Sequence, residues 1–110
     1  MNLLIIDDEA PIRKTTGVTL ETLGHECEQA QNGAEALSLL KKISFDAAFL
    51  DLRLGAENGL DLIPRLLALE PKLNVIVFTA YTSIDTAVEA MRRGAVDYIS
   101  KPFTPEQIRQ

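Results

Sequence analysis

The run Leu3-Leu4-Ile5-Ile6-Asp7-Asp8-Glu9-Ala10-Pro11 decides the fold. Four consecutive apolar residues closed by acids read as a strand buried on both faces. Proline five residues after Ile6 fits the first turn of a helix, where its missing N–H costs nothing. Buried strand, acidic turn and helix together form the opening unit of a parallel α/β sheet.

The same alternation continues outward. Ile12, Thr16, Leu20 and Leu23 fall at near-helical spacing, and Gly24 is a helix stop. A short, more polar strand follows around residues 25–30. Asn32 is placed to cap a helix whose inner face is Ala36, Leu37 and Leu40. Phe45 to Leu50 is a second apolar run, and it ends at Asp51. Residues 54–59, Leu-Gly-Ala-Glu-Asn-Gly, read as a loop. Leu60, Ile63 and Leu67 then repeat helically, and Pro64 places that helix start near residues 60–62, so that proline falls in the first turn. Val75 to Phe78 is the most strand-like run. Thr82 or Ser83 caps a helix through Ile84, Val88 and Met91 that stops at Gly94. Val96 to Ser100 is the last strand. Thr104 with Gln107 opens a fifth helix as a capping box.

Five strand–helix pairs predict an α/β fold: a doubly wound, five-stranded parallel sheet with helices on both faces. One hundred and ten residues hold one domain, 1–110, and the last helix reads as cut short. Apolar residues make up 46% and charged residues 25%, which excludes a disordered chain and a disulfide scaffold. No apolar run approaches the roughly 20 residues of a membrane span, and no basic segment precedes the first apolar run as in a signal peptide. One cysteine, Cys27, suits the reducing cytoplasm. Sixteen acids against eleven bases, a net charge of −5, lack the basic footprint of a nucleic-acid binder.

Ligands of open α/β sheets bind at the carboxyl ends of the strands. There the sequence places Asp7, Asp8 and Glu9 after the first strand, Asp51 after the third, Thr79 after the fourth and Lys101 after the fifth. Two unit charges about 4 Å apart cost on the order of 4 kcal/mol at an effective dielectric near 20. Lys101 offsets part of that repulsion. A hard divalent cation with all-oxygen ligands, Mg²⁺, offsets most of it and leaves coordination sites for phosphate. Each residue also has an ordinary reading. Asp7 and Asp8 could cap the first helix, Asp51 could be a loop acid, Thr79 a satisfied strand-end hydroxyl, and Lys101 a solvated amine. Their joint placement on the correct strand ends favours a site.

The Asp7-Asp8-Glu9 cluster, Phe49-Leu50-Asp51-Leu52-Arg53-Leu54, Asn58-Gly59, Val77-Phe78-Thr79-Ala80 and residues 94–103, from Gly94 through Lys101-Pro102-Phe103, resemble the receiver domain of two-component response regulators along essentially the whole chain. The stretch from Asp51 onward is most similar to receivers of the nitrogen-regulation (NtrC) type, which precede a sigma-54-dependent ATPase and a DNA-binding domain. The resemblance implies a flavodoxin-like (βα)5 fold with strand order 2-1-3-4-5. It implies a phosphorylation-dependent switch that catalyses its own aspartyl phosphorylation and dephosphorylation without being a classical enzyme. Asp51 would take a phosphoryl group from a histidine kinase. Asp8, Asp51 and the Arg53 backbone carbonyl would hold Mg²⁺, with Asp7 acting through water. Thr79 and Lys101 would contact phosphoryl oxygens. The Lys101–Pro102 peptide would be cis.

As a switch, Thr79 would move toward the phosphoryl group and Tyr98 would turn inward, altering the face of the fourth helix, fifth strand and fifth helix. Tyr98 otherwise reads as a half-buried strand aromatic. Arg53 and Tyr81, each two residues beyond a site residue, would tune phosphoryl lifetime. The implied partners are the kinase, the effector domains of a longer protein and, in some members, a second receiver. Three rivals share parts of the pattern. A flavodoxin-like electron carrier needs a hydroxyl- and glycine-rich first loop, and here that loop is acidic. A phosphatase of the haloacid dehalogenase type places its nucleophile after the first strand. A pseudo-receiver that binds partners without phosphorylation usually lacks one of Asp8, Asp51, Thr79 or Lys101, and all four are present. His25 and Cys27 read as ordinary fold residues.

Overall fold

The computed structural model describes residues 1–80 and 82–101. Each strand expected above is formed: β1 (Asn2–Ile6), β2 (Glu26–Ala30), β3 (Ala47–Leu50), β6 (Asn74–Thr79) and β7 (Asp97–Ser100). They pair in parallel, in the order β2-β1-β3-β6-β7. This is the expected order 2-1-3-4-5, with β6 and β7 as the fourth and fifth strands of the main sheet. The two extra labels belong to β4 (Arg53–Leu54) and β5 (Glu57–Asn58), which pair antiparallel as a separate ribbon. The expectation of a plain loop over residues 54–59 is therefore corrected. Gly55, at φ +61°, makes the tight turn that joins the two strands.

Four helices cover the sheet among the described residues: α1 (Ala10–Thr22), α2 (Gly33–Lys42), α3 (Gly59–Leu69) and α4 (Ile84–Arg92). Strand side chains alternate between two cores, as the period-2 pleat requires. Leu3, Ile5, Phe49, Phe78 and Ile99 join Leu20 of α1 on one face. Leu4, Ile6, Leu50, Val75 and Val77 face Ala36 of α2, Leu62, Ile63 and Leu66 of α3 and Ala90 of α4 on the other. The wrap is doubly wound, as anticipated.

The predicted helix signals act locally. Pro11 occupies the first turn of α1. Asn32 caps α2 by accepting from the Glu35 amide at 2.9 Å, and Ser83 caps α4 by accepting from Thr86 at 3.1 Å. Gly24 and Gly94 take φ +96° and +116° at the ends of α1 and α4. The start of α3 differs from expectation. Asn58 caps it, accepting from Leu60 at 3.0 Å, so the helix begins at Gly59 and Pro64 lies inside it rather than in its first turn. Pro64 sits on the exposed face of the helix, where its ring meets no core side chain. No described helix is long and apolar enough to cross a membrane. The expected fifth helix from Thr104 to Gln107 and beyond, the Lys101–Pro102 peptide, Phe103 and Tyr81 lie outside the described residues.

Candidate functional site

Parallel pairing in register brings the ends of β1, β3, β6 and β7 to one edge. Ile6 pairs with Leu50, Leu50 with Val77, and Thr79 with Ser100. The next residues, Asp7, Asp51 and Lys101, therefore converge although they lie up to 94 positions apart. Backbone bonds extend the register past the strand ends. The Asp51 amide donates to the Ile6 carbonyl at 2.9 Å, the Asp7 amide to Ala30 at 3.0 Å, and the Lys101 amide to Thr79 at 3.0 Å.

Asp7 and Asp51 are buried, with 0% and 3% of their surface exposed, so neither charge is offset by bulk water. Lys101 Nζ donates to Asp7 Oδ2 at 2.6 Å and to Asp51 Oδ2 at 2.7 Å. Its ammonium also lies 4.7 Å from the centroid of the Phe78 ring. Desolvation pulls the pKa of the Lys101 ammonium down, but the bonds it donates to Asp51 and Asp7 outweigh that and hold it above the ordinary lysine value. The second oxygen of each buried acid is also engaged. Asp7 Oδ1 accepts from the Glu9 amide at 3.0 Å, and Asp51 Oδ1 from the Arg53 amide at 3.1 Å. Arg13 braces the same turn by donating to the Asp7 carbonyl at 2.7 Å. Glu9 is the N-cap residue of α1. Asp7 is occupied with Lys101 and the turn, so the capping reading does not explain it.

Asp8 is the exposed member, and its Oδ2 accepts from the Gly55 amide at 2.8 Å. One carboxylate oxygen from each of Asp7, Asp8 and Asp51 lies within 4.8 Å of the others. Three carboxylates with one lysine leave surplus negative charge. A hard divalent cation with oxygen ligands fits that donor set. Thr79 is fully buried at the end of β6. Tyr98, opposite Val77 on β7, is half-buried and packs against the α2–α4 core. Arg53 begins β4 with its side chain exposed. Burial, and then the charge of Glu21, pushes the Cys27 thiol up to about 11, which keeps it protonated and chemically quiet.

The structure thus gathers Asp7, Asp8, Asp51 and Lys101 into one cluster, places Thr79 next to Lys101 across the β6–β7 pairing, and leaves Arg53 two residues beyond Asp51. Tyr98 stands three residues from Lys101 along β7. Sequence reasoning missed Glu57, whose Oε1 accepts from the Gly33 amide at 3.0 Å and ties the β4–β5 ribbon to α2. Its one sequence signal is the pair of glycines, Gly55 and Gly59, that bracket it.

The response regulator receiver domain family matches residues 3–110. The chain belongs to that family. This receiver is 43% identical over 107 residues to the alginate biosynthesis transcriptional regulatory protein AlgB of Pseudomonas aeruginosa, covering 97% of this chain and 24% of that protein. It is 36% identical to the DNA-binding transcriptional regulator NtrC of Azospirillum brasilense, covering 96% of this chain and 22% of that one. The receiver therefore spans about a quarter of the length of these curated relatives. A solved response regulator from Burkholderia pseudomallei, with a phosphorylated aspartic acid, a calcium ion and citrate, superposes with a TM-score of 0.94 at 41% identity. That match covers 98% of the receiver and 64% of the solved chain.

Proposed function

We propose that this receiver is a phosphorylation-dependent switch in which Asp51 accepts a phosphoryl group from a histidine kinase. One observation carries the reading: a buried carboxylate at the end of β3 meets the ammonium of Lys101 and two further acids at the sheet edge where such folds bind ligands. The relative from Burkholderia, with its phosphorylated aspartic acid and calcium ion, supports the same chemistry.

In the transfer, an Asp51 carboxylate oxygen attacks phosphorus. The bond from phosphorus to the donor nitrogen breaks and leaves its electron pair on the imidazole. Lys101, freed from one of its two carboxylates, neutralises charge on the phosphoryl oxygens, and the Thr79 hydroxyl donates to another. Asp8, Asp51 and the Arg53 backbone carbonyl would hold the divalent cation, Mg²⁺ in this reading, with Asp7 acting through water. Bound there, the cation supplies charge neutralisation for the incoming phosphoryl group. Thr79 and Tyr98 carry the switch outward along β6 and β7 to the face that includes α4. On this reading the partners are the cognate kinase in the cytoplasm and the effector domains of a longer protein. By resemblance these are a sigma-54-type ATPase and a DNA-binding domain. A second receiver is a further partner, and the domain itself contacts neither nucleic acid nor membrane.

The test is an intact-mass spectrum after incubation with acetyl phosphate and Mg²⁺, beside Asp51→Asn. One phosphoryl adduct in the parent protein, absent without Mg²⁺ and absent in the variant, is the expected result. No adduct, together with no binding of beryllofluoride, would return the protein to the pseudo-receiver reading.

A further inference from the structure

The ribbon between Asp51 and α3 is held from three directions. Its outgoing strand is tied to Asp51 through the Arg53 amide, at 3.1 Å. Its tip is tied to Asp8 through the Gly55 amide, at 2.8 Å. Its returning strand is tied to α2 by Glu57, whose Oε1 accepts from the Gly33 amide at 3.0 Å. The first two ties end on candidate cation ligands. The third reaches a helix 24 residues away in sequence and touches no ligand.

Two strands of two residues each have little stability of their own. The ribbon is ordered by what grips it, and β4 carries the Arg53 carbonyl. Gly33 is shaped for the grip. A Cβ there would stand 2.6 Å from Glu57 Oε2 and 3.1 Å from Leu62 Cδ1, so any larger residue must displace the Glu57 carboxylate from its present position.

We propose that Glu57 is a positioning residue for the divalent-cation site, holding the Arg53–Asn58 ribbon in its binding geometry by gripping the first amide of α2. The proposal rests on the reading that Asp8, Asp51 and the Arg53 carbonyl hold the cation. Ligands already held in place spend less of their binding energy on ordering. Without the grip, that ordering cost falls on the cation and shows as weaker affinity. Coupling is reciprocal, so the bound cation also slows hydrogen exchange at Gly33, a residue on α2.

Mg²⁺ affinity is measured by calorimetry on the parent chain and on Glu57→Ala, Glu57→Gln, Gly33→Ala and Asp51→Asn, with amide exchange at Gly33 as second readout. Glu57→Ala weakens binding about 10-fold, the low end for groups that orient metal ligands. Glu57→Gln, which keeps an acceptor oxygen but no charge, stays within about 2-fold of the parent, since the grip and not the charge is at work. Gly33→Ala favours the helix intrinsically, yet it matches the affinity loss of Glu57→Ala. The two changes combined lose no more than either alone, because both break one contact. Affinity unchanged in Glu57→Ala and Gly33→Ala, with only stability altered, overturns the proposal. An equal loss in Glu57→Gln and Glu57→Ala makes the effect one of charge and overturns it too. Asp51→Asn separates the two levels. If it leaves Mg²⁺ binding intact, the cation-site reading itself fails. If it weakens binding while Glu57→Ala does not, only the positioning role falls.

Discussion

Helices α3 and α4 lie side by side on the same face of the sheet, yet they are attached to it very differently. In eleven residues α3 buries Gly59, Leu60, Leu62, Ile63 and Leu66. In nine residues α4 buries Ala90 alone. Ile84, Val88 and Met91 of α4 stand 83%, 53% and 46% exposed. Polar ties supply part of what packing does not. Arg93, just past α4, donates to Asp61 of α3 at 2.8 Å and to Glu89 at 2.8 Å. The difference teaches which element is cheap to move. Shifting α3 means reopening a dry core and displacing Gly59, whose missing Cβ would lie 2.6 Å from the Asp51 carbonyl. Shifting α4 means exchanging exposed ion pairs for water, a step of small cost. On the proposed reading, a signal from Asp51 meets a rigid wall in α3 and a compliant one in α4.

Core truncations should break the pair apart most clearly. Leu66→Ala in α3 is expected to cost about 2–5 kcal/mol in a denaturant titration, the range for a fully buried leucine. Val88→Ala in α4 should fall within about 0.5 kcal/mol of the parent. Equal losses would erase the contrast. Next in size is Gly94→Ala. The position combines φ +116° with a Cβ clash of 2.5 Å against Leu67 Cδ1 of α3. Strain of about 1–2 kcal/mol is expected from the left-handed backbone alone, and amide exchange in α4 should quicken more than in α3. A smaller effect belongs to Arg93→Ala. Exchange should accelerate through α4 while α3 and global stability hardly change, and uniform acceleration would show that the two helices open together.

Acid and alkali sharpen the same comparison between α4 and the site. The hydrogen bond from Arg93 holds the Glu89 carboxyl below its ordinary value of 4.5. A lowered folded value means that the tie is complete above 4.5 and is lost as pH falls through the folded value. Lys101 has the opposite sign. Its raised folded value means that its contribution is complete below the ordinary 10.5 and is lost as pH rises through the folded value. Amide exchange followed across pH should therefore loosen α4 first at the acid end and the Asp7–Asp51 edge first at the alkaline end. The reverse order would refute both assignments.

Much of this was legible in the linear sequence. Asp7, Asp8, Asp51, Thr79 and Lys101 each follow an apolar run, and a parallel sheet has one carboxyl edge, so naming the strands was enough to name the candidate site. Asn32, Ser83, Gly24 and Gly94 announced helix ends because capping is decided within a few residues. Residues 54–59 were not legible. Two-residue strands are too short to show a period, and a Gly55-Ala56 turn is a weaker hairpin signal than Asn-Gly. The start of α3 was misplaced because Pro64 argued for a later one. The cap from Asn58 and the close approach at Gly59 outweighed it.

The sequence by itself determined the five strands of the main sheet, their order along the chain and the chemistry at their ends, because hydrophobic period, capping and turn preference act over a few neighbouring residues. Only the tertiary structure decided that Lys101 bridges Asp7 and Asp51 at once, that Glu57 reaches across to Gly33, and that α4 is held mainly by Ala90 and Arg93. Those contacts join positions from 24 to 94 residues apart. They are chosen by how whole layers pack and by which charges are left without water, and no local pattern records that choice.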